Sequence, residues 1–372
     1  MPHPDTLLAH AGCSPDPATG AVVAPPYLTT TFERAEDGSY PHGYQYGRTG
    51  NPTREQFEET LNAFEGGAGC AGFASGMAAA MTVLQALPAG KHILLPADVY
   101  YGVQRLIEEA FEDRFSVSPV DMTDLDALEA AFRAETLLVW AETPSNPMLR
   151  ITDLQAVADL THAQDALLLV DGTWTTPLLQ RPLDLGADLV LHSVTKYLAG
   201  HSDVLGGAVV AAEQSGLFDR VRSIQETGGA VMDPFSAWLA LRGMRSLAPR
   251  LRLQCASARQ IATFLDEHDR VETVHHPSLP HHPGHDIAAR QMDDFGGMLS
   301  FEVQGARDAA MEVAARVEVF RRATSLGGTE SLIEHRASIE PEGSATPKGL
   351  LRLSIGLEHV DDLIADLSQA LG

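Results

Sequence analysis

The chain has 372 residues, 44% of them hydrophobic and 20% charged, and a formal net charge of −24. That length and balance describe a soluble globular protein with room for two domains and a substantial core, while the charge argues against nucleic acid or an anionic membrane surface as the main partner. Three widely spaced cysteines, Cys13, Cys70 and Cys255, offer neither a disulfide framework nor a paired-cysteine metal site, and no apolar run reads as a leader or a bilayer span, so a cytoplasmic protein is expected.

Residues 1–45 lack periodicity and carry Pro15, Pro17, Pro25, Pro26 and Pro41. They read as an extended arm that is more stable draped over a larger surface, a second subunit being one such surface; partial disorder is the plain alternative. Next comes a turn displaying Tyr46 and Arg48. Thr53 and Gln56 have the spacing of a capping box, and Phe57, Leu61 and Phe64 give a helical stripe that ends at Gly66-Gly67. Ser75-Gly76-Met77 then enters an alanine-rich helix, where free backbone N–H groups and the positive end of the helix dipole form a phosphate seat.

From there short apolar strands alternate with helices: 92–95, 115–117, 137–140, 167–171 and 189–191. Continuously apolar strands separated by helices predict a mostly parallel sheet covered on both faces, with ligands at the carboxyl ends of its strands. Tyr100, Asn146, Asp171 and Lys196 all fall just past strand ends. The pattern turns helical over about 216–268. Strands at 298–303 and 351–355 and a last helix from Val360 then make a smaller α/β domain. The expected division is an arm over 1–45, a large domain over 46–240 and a small domain over 241–372.

Lys196 is one of only three lysines in the chain, with Lys91 and Lys348, and the only one set between an apolar strand and a loop rich in Ser, Thr and Gly. Arginine can carry charge and grip anions, but it cannot shed a proton to form an imine. Lys196 therefore reads as a Schiff-base lysine. An aldehyde cofactor on it needs phosphate donors, which Ser75, Gly76, Met77, Ser193 and Thr195 can supply. It needs a carboxylate against its ring nitrogen, which Asp171 offers 25 residues earlier, and a flat neighbour, which Tyr100 offers. The α-carboxylate of a substrate needs an arginine, and Arg352 on the C-terminal strand would close the site. Taken singly these residues have plainer readings: a solvated turn for Tyr46 and Arg48, a helix cap for Asp171, a surface charge for Arg352. Together those readings become improbable.

The segments YGRTGNPT (46–53), FASGMAA (73–79), DVYYG (98–102), ETPSNP (142–147), VDGTW (170–174), HSVTKYLAGHSDVLGG (192–207), TSLGGTESL (324–332) and LRLSIGLE (351–358) resemble those of the cystathionine γ-synthase / cystathionine γ-lyase family, the Cys/Met-metabolism enzymes dependent on pyridoxal phosphate. The resemblance spans nearly the whole chain. It implies an aspartate-aminotransferase-like fold (fold type I) with a seven-stranded central sheet. It implies that Lys196 carries the cofactor and shuttles protons, that Asp171 pairs with the pyridine nitrogen, that Tyr100 stacks on the ring, and that Gly76, Met77, Ser193 and Thr195 hold the phosphate, with Asn146 and Thr173 also at the cofactor. Tyr46 and Arg48 would reach the phosphate of a neighbouring subunit, making a dimer the active unit, usually paired into a tetramer. Asn146, Ser325 and Arg352 would meet the substrate, with Arg105 as a further arginine on that side. The chemistry implied is loss of the α-proton and then of the γ-substituent, followed by breakdown to a 2-oxo acid and ammonia or addition of a thiol.

The chain also departs from that pattern. Asp171-Gly172-Thr173 stands where Asp-Asn-Thr is common, Gly102 where methionine γ-lyases carry Cys, and Thr324 where many γ-lyases and γ-synthases carry Glu. Gly102 argues against methionine γ-lyase activity, and Thr324 weakens recognition of the distal amino group of cystathionine. γ-Lyase, γ-synthase, β-lyase and acylhomoserine sulfhydrylase remain alternatives, as does a binding protein that has lost catalysis. Five histidines between His275 and His285 could hold a metal, but the prolines among them enforce an extended loop with no Cys or carboxylate cluster, and no metal is expected.

Overall fold

A computed structural model of the chain describes residues 3–13, 15–339 and 346–372. Among these residues, seven strands build the larger sheet: β1 (Gly69–Phe73), β2 (Lys91–Pro96), β3 (Phe115–Val120), β4 (Thr136–Glu142), β5 (Leu167–Asp171), β6 (Leu189–Ser193) and β7 (Gly207–Ala211). Their order is β1-β7-β6-β5-β4-β2-β3. β2 to β6 run parallel to their neighbours, whereas β7 lies antiparallel between β1 and β6.

Side-chain alternation explains why these strands read as unbroken apolar runs. Leu138, Trp140, Leu169 and Leu191 enter the core on one face, and Val139, Ala141, Leu168 and Val170 the core on the other. Both faces are dry, and each fully buried Leu or Val there contributes about 1.5–3 kcal/mol. The strand Gly69–Phe73 escapes the sequence pattern because glycine occupies 69 and 72. A Cβ at Gly69 would stand 2.5 Å from Phe218 Cε1, so packing excludes the side chains that signal a strand.

The second sheet contains β8 (Val271–His275), β9 (Met298–Val303), β10 (Arg321–Arg322), β11 (Leu332–His335) and β12 (Leu350–Ser354) in the order β10-β11-β12-β9-β8. It is antiparallel except for β10 against β11. The helices Gly216–Gly228, Pro234–Met244 and Leu247–Asp266 occupy the region expected to be helical. No helix among the described residues is long and apolar enough to cross a membrane.

The arm opens with a short helix, Pro4–Ala9, whose Leu8 is buried; much of the chain from there to Gly50 is irregular and exposed. The helix Pro52–Glu65 that follows is capped differently from the expected Thr53–Gln56 box. Asn51 is the N-cap, its side chain accepting from the N–H groups of Thr53 and Arg54, with Pro52 in the first turn. Proline at the first helical position lacks the N–H that would otherwise go unsatisfied, which shifts the start of the helix ahead of Thr53.

Candidate active site

β6 ends at Ser193, and the chain turns tightly through Lys196. Gly200 N–H bonds to Lys196 O at 2.8 Å, with Gly200 at φ +69°. A Cβ on Gly200 would stand 2.1 Å from Arg250 Nη1, and Arg250 Nη2 donates to Tyr197 O and Gly243 O, both at 3.0 Å. Only glycine fits both the left-handed backbone and that contact. From the opposite side Gly327, also at positive φ, brings the 324–328 loop onto Tyr197 N. Lys196 is thereby fixed between two sheets.

Its Nζ donates to Ser325 Oγ at 2.8 Å. Burial first, then the charge of Arg352, depresses the Lys196 pKa to about 8, with Glu334 acting in the opposite direction. Ser325 itself has φ +91°, unusual for a residue with a side chain. Strain of this kind persists only where surrounding contacts impose it.

Lys196 opens into a cavity of about 220 Å³ whose lining includes Gly76, Met77, Tyr100, Asn146, Asp171, Thr173, Ser193, Thr195, Ser325 and Arg352. At one side the helix Gly76–Ala86 begins. Ser75 Oγ accepts from Ala78 N–H, while Gly76 and Met77, as the first helical residues, have no carbonyl one turn back to bond. A Cβ on Gly76 would lie 3.1 Å from Ser193 Cβ and 3.2 Å from its Oγ, so only glycine keeps this hollow open. Thr195 Oγ1 instead exchanges bonds with Gly206, donating to its O and accepting from its N.

At the floor, Asp171 ends β5 beside Glu142, its partner across the β4–β5 ladder. Burial raises the Asp171 pKa, and bonds from Thr173, including its N–H to Oδ1 at 3.0 Å, oppose the rise. Glu142 is pushed well above the usual carboxylate range, by burial and then by the Asp171 charge. Burial thus raises both carboxylates, while the Thr173 bonds favour the ionised form of Asp171. Glu142 Oε2 also accepts the Tyr100 N–H at 2.9 Å, fixing the backbone from which the Tyr100 side chain, 43% exposed, reaches the cavity mouth.

Arg352, in the middle of β12, is buried and donates to Asn146 Oδ1 (3.0 Å), Ser325 O (3.1 Å) and Glu334 Oε2 (2.8 Å). The Arg352–Asn146 and Lys196–Ser325 bonds each join a residue next to one sheet with a residue next to the other.

Three expected residues lie elsewhere in the chain. Tyr46 and Arg48 sit on the outer turn, Arg48 donating to Glu226 O at 2.6 Å with its guanidinium 5.7 Å from the Tyr46 ring. Arg105 projects from the helix Tyr101–Ala110 and pairs with Glu109 at 2.7 Å. Conversely, sequence reasoning assigned no part to Glu142, Glu334 or Arg336, although Glu142 and Arg336 line the cavity. A signal for Glu334 was present: it is a lone carboxylate in an apolar strand, as Arg352 is a lone cation in another, and the two strands pair. The histidines of 275–285 have separate protein partners, His275 with Glu302 (2.9 Å), His276 with Ser278 (2.6 Å) and His285 stacked on Phe295.

The donor set suits an anionic aldehyde cofactor: a glycine-kept hollow at a helix start, a carboxylate at the floor and a lysine of lowered pKa between them. Known proteins agree. A cystathionine gamma-synthase of Mycobacterium tuberculosis is 47% identical over 99% of this chain and 97% of its own length. A cystathionine gamma-lyase of Dictyostelium discoideum is 44% identical over 98% and 97%. Among solved structures, cystathionine gamma synthase from Xanthomonas oryzae pv. oryzae, in complex with aminoacrylate and cysteine, superposes with a TM-score of 0.96 at 42% identity, covering 100% of this chain and 98% of that one. The model of the Cys/Met metabolism PLP-dependent enzymes matches residues 5–372, and the chain belongs to that family.

Proposed function

We propose that the protein is a transsulfuration enzyme that eliminates or replaces the γ-substituent of an α-amino acid, either cystathionine or an acylated homoserine. The observation that carries this reading is Lys196, a half-buried amine of lowered pKa held between Ser325 and the Arg352 side of the cavity. Bound pyridoxal phosphate supplies an electron sink that acidifies the carbon next to the substrate nitrogen. Gly76, Met77 and Ser193 hold its phosphate, with Thr195 bracing the loop. Asp171 meets its ring nitrogen, Tyr100 covers its ring face, and Asn146 and Thr173 flank it.

The chain's own groups then divide the work. Arg352, braced by Asn146, holds the substrate carboxylate. Lys196, whose neutral form is available near neutral pH, would take the α-proton, give it back at the carbon on the far side of the substrate nitrogen, and then take a β-proton, whose C–H electron pair expels the γ-substituent. The Ser325 hydroxyl keeps Nζ aimed during this transfer. Tyr100 passes a proton at the leaving sulfur or oxygen. Arg105, exposed and paired with Glu109, would serve as a further substrate-side arginine at the entrance.

We further propose that a dimer is the active unit, with Tyr46 and Arg48 of one copy completing the phosphate seat of the other, and that dimers pair into tetramers. The exposure of Tyr46 on a turn tied by Thr49 and Gly50 N–H bonds to Tyr46 O supports this. A boundary near residue 240 between the large and small domains and a cytoplasmic workplace, supported by three free cysteines, complete the reading. Incubation with cystathionine, and separately with O-succinyl- or O-acetylhomoserine plus cysteine, tests it. 2-Oxobutyrate indicates γ-elimination, new cystathionine γ-replacement and pyruvate β-elimination. Absence of turnover of all these substrates refutes the proposal.

A further inference from the structure

We propose that Glu334 is a positioning residue of the substrate-carboxylate seat, holding Arg352 in its working orientation. The proposal rests on the reading of Arg352 as the carboxylate-binding group. Arg352 has a long flexible stem, and three acceptors on three different parts of the chain fix the plane of its guanidinium. Asn146 Oδ1 comes from the loop after β4, Ser325 O from the loop before β11, and Glu334 Oε2 from β11 itself. Only Glu334 is charged. The strand register sets it directly opposite Arg352, so its hold comes from the backbone ladder and does not depend on loop placement.

A second cation meets the same carboxylate. Arg336, buried and part of the cavity lining, donates through Nη1 to the same Oε2 at 2.9 Å. Two guanidinium groups therefore converge on one carboxylate oxygen, close enough to repel strongly at low dielectric if that oxygen were neutral. Glu334 thus places one carboxylate oxygen between the two guanidinium groups. Without it, Arg352 and Arg336 separate and the fork that meets the substrate loses its aim. Charge-assisted bonds of this geometry are about twice as strong as neutral ones, so a neutral acceptor at 334 restores only part of the effect.

The test compares holoenzyme binding of L-norvaline, which has an α-carboxylate and no γ-leaving group, with that of n-butylamine, the same molecule lacking the carboxylate. Binding is followed by the change in visible absorption. The ratio of the two dissociation constants reports the carboxylate seat, and a merely structural defect weakens both ligands alike. Glu334→Gln is expected to lower the norvaline preference about threefold to tenfold, and Glu334→Leu by more than about tenfold, with butylamine and pyridoxal phosphate affinities unchanged. Should Glu334→Leu fail to fold, the isosteric Gln variant decides. Parallel weakening of both ligands, or an unchanged ratio, overturns the proposal. A wild-type enzyme with no preference for norvaline overturns instead the assignment of Arg352 on which it rests.

Discussion

Lys196 can attack an aldehyde only as the neutral amine, and its surroundings decide the pH at which that form becomes abundant. With the pKa lowered to about 8, the rate at which cofactor-free protein captures pyridoxal phosphate should rise about tenfold per pH unit below that value and flatten above it. Stopped-flow absorbance across pH 6–10 measures this. Because the Arg352 charge is one of the depressing causes, Arg352→Met should move the break upward; an unmoved break would show that burial alone sets it. Lys196→Arg should lose the yellow colour and turnover together. At this scale the sequence was most informative where chemistry restricts residue choice, as at Lys196 and Asp171. It was silent on Glu142, and at Glu334 it left only a lone carboxylate in a strand; the importance of both depends on which residue lies across a ladder, and pairing between strands far apart in sequence leaves no local trace.

Glycines 200 and 327 show how neighbouring elements fix a reactive turn. Gly200→Ala combines a left-handed backbone with a contact of 2.1 Å to Arg250. It should destabilise the protein by roughly 2–4 kcal/mol, read as a lowered urea midpoint, and loosen cofactor retention. The proline-histidine loop gives a pH-dependent counterpart. Burial lowers the pKa values of His276 and His282 to about 4. The unfolded chain takes up those protons near pH 6.5, and the folded chain only near pH 4. Stability from this source is complete above about pH 6.5, is lost as pH falls toward 4, and changes little below that, with His276 accounting for up to roughly 3 kcal/mol. Urea midpoints at pH 7, 5.5 and 4 should show the decline, and His276→Gln should make it shallower. Helices and parallel strands were legible from their periodicity and breakers. The antiparallel β1 was not, because close packing had replaced its strand-forming side chains with glycine.

For the molecule as a whole, the expected partition of Arg48 and Lys196 between two copies has a counting consequence. Arg48→Ala and Lys196→Ala proteins, each inactive, should regain about a quarter of wild-type activity after unfolding and refolding together. Half of random dimers are mixed, and each mixed dimer has one site free of both substitutions. No recovery would mean that each copy uses its own Arg48. The division into a larger and a smaller sheet was readable from the order of strands and helices. That the two sheets share one cavity was readable only because the residues that need each other chemically lie on both.

The Lys196–Ser325 and Arg352–Asn146 bonds have one more consequence. Each requires the two sheets to be docked in register, so catalysis works as a coincidence detector for their docking. A slight parting of the seam would leave every strand and helix intact, and most spectroscopic signals with them, yet separate the amine from its hydroxyl and the guanidinium from its amide. Inactivation in dilute denaturant should then run ahead of loss of helical signal, and substrates that bridge the seam should act as its fasteners.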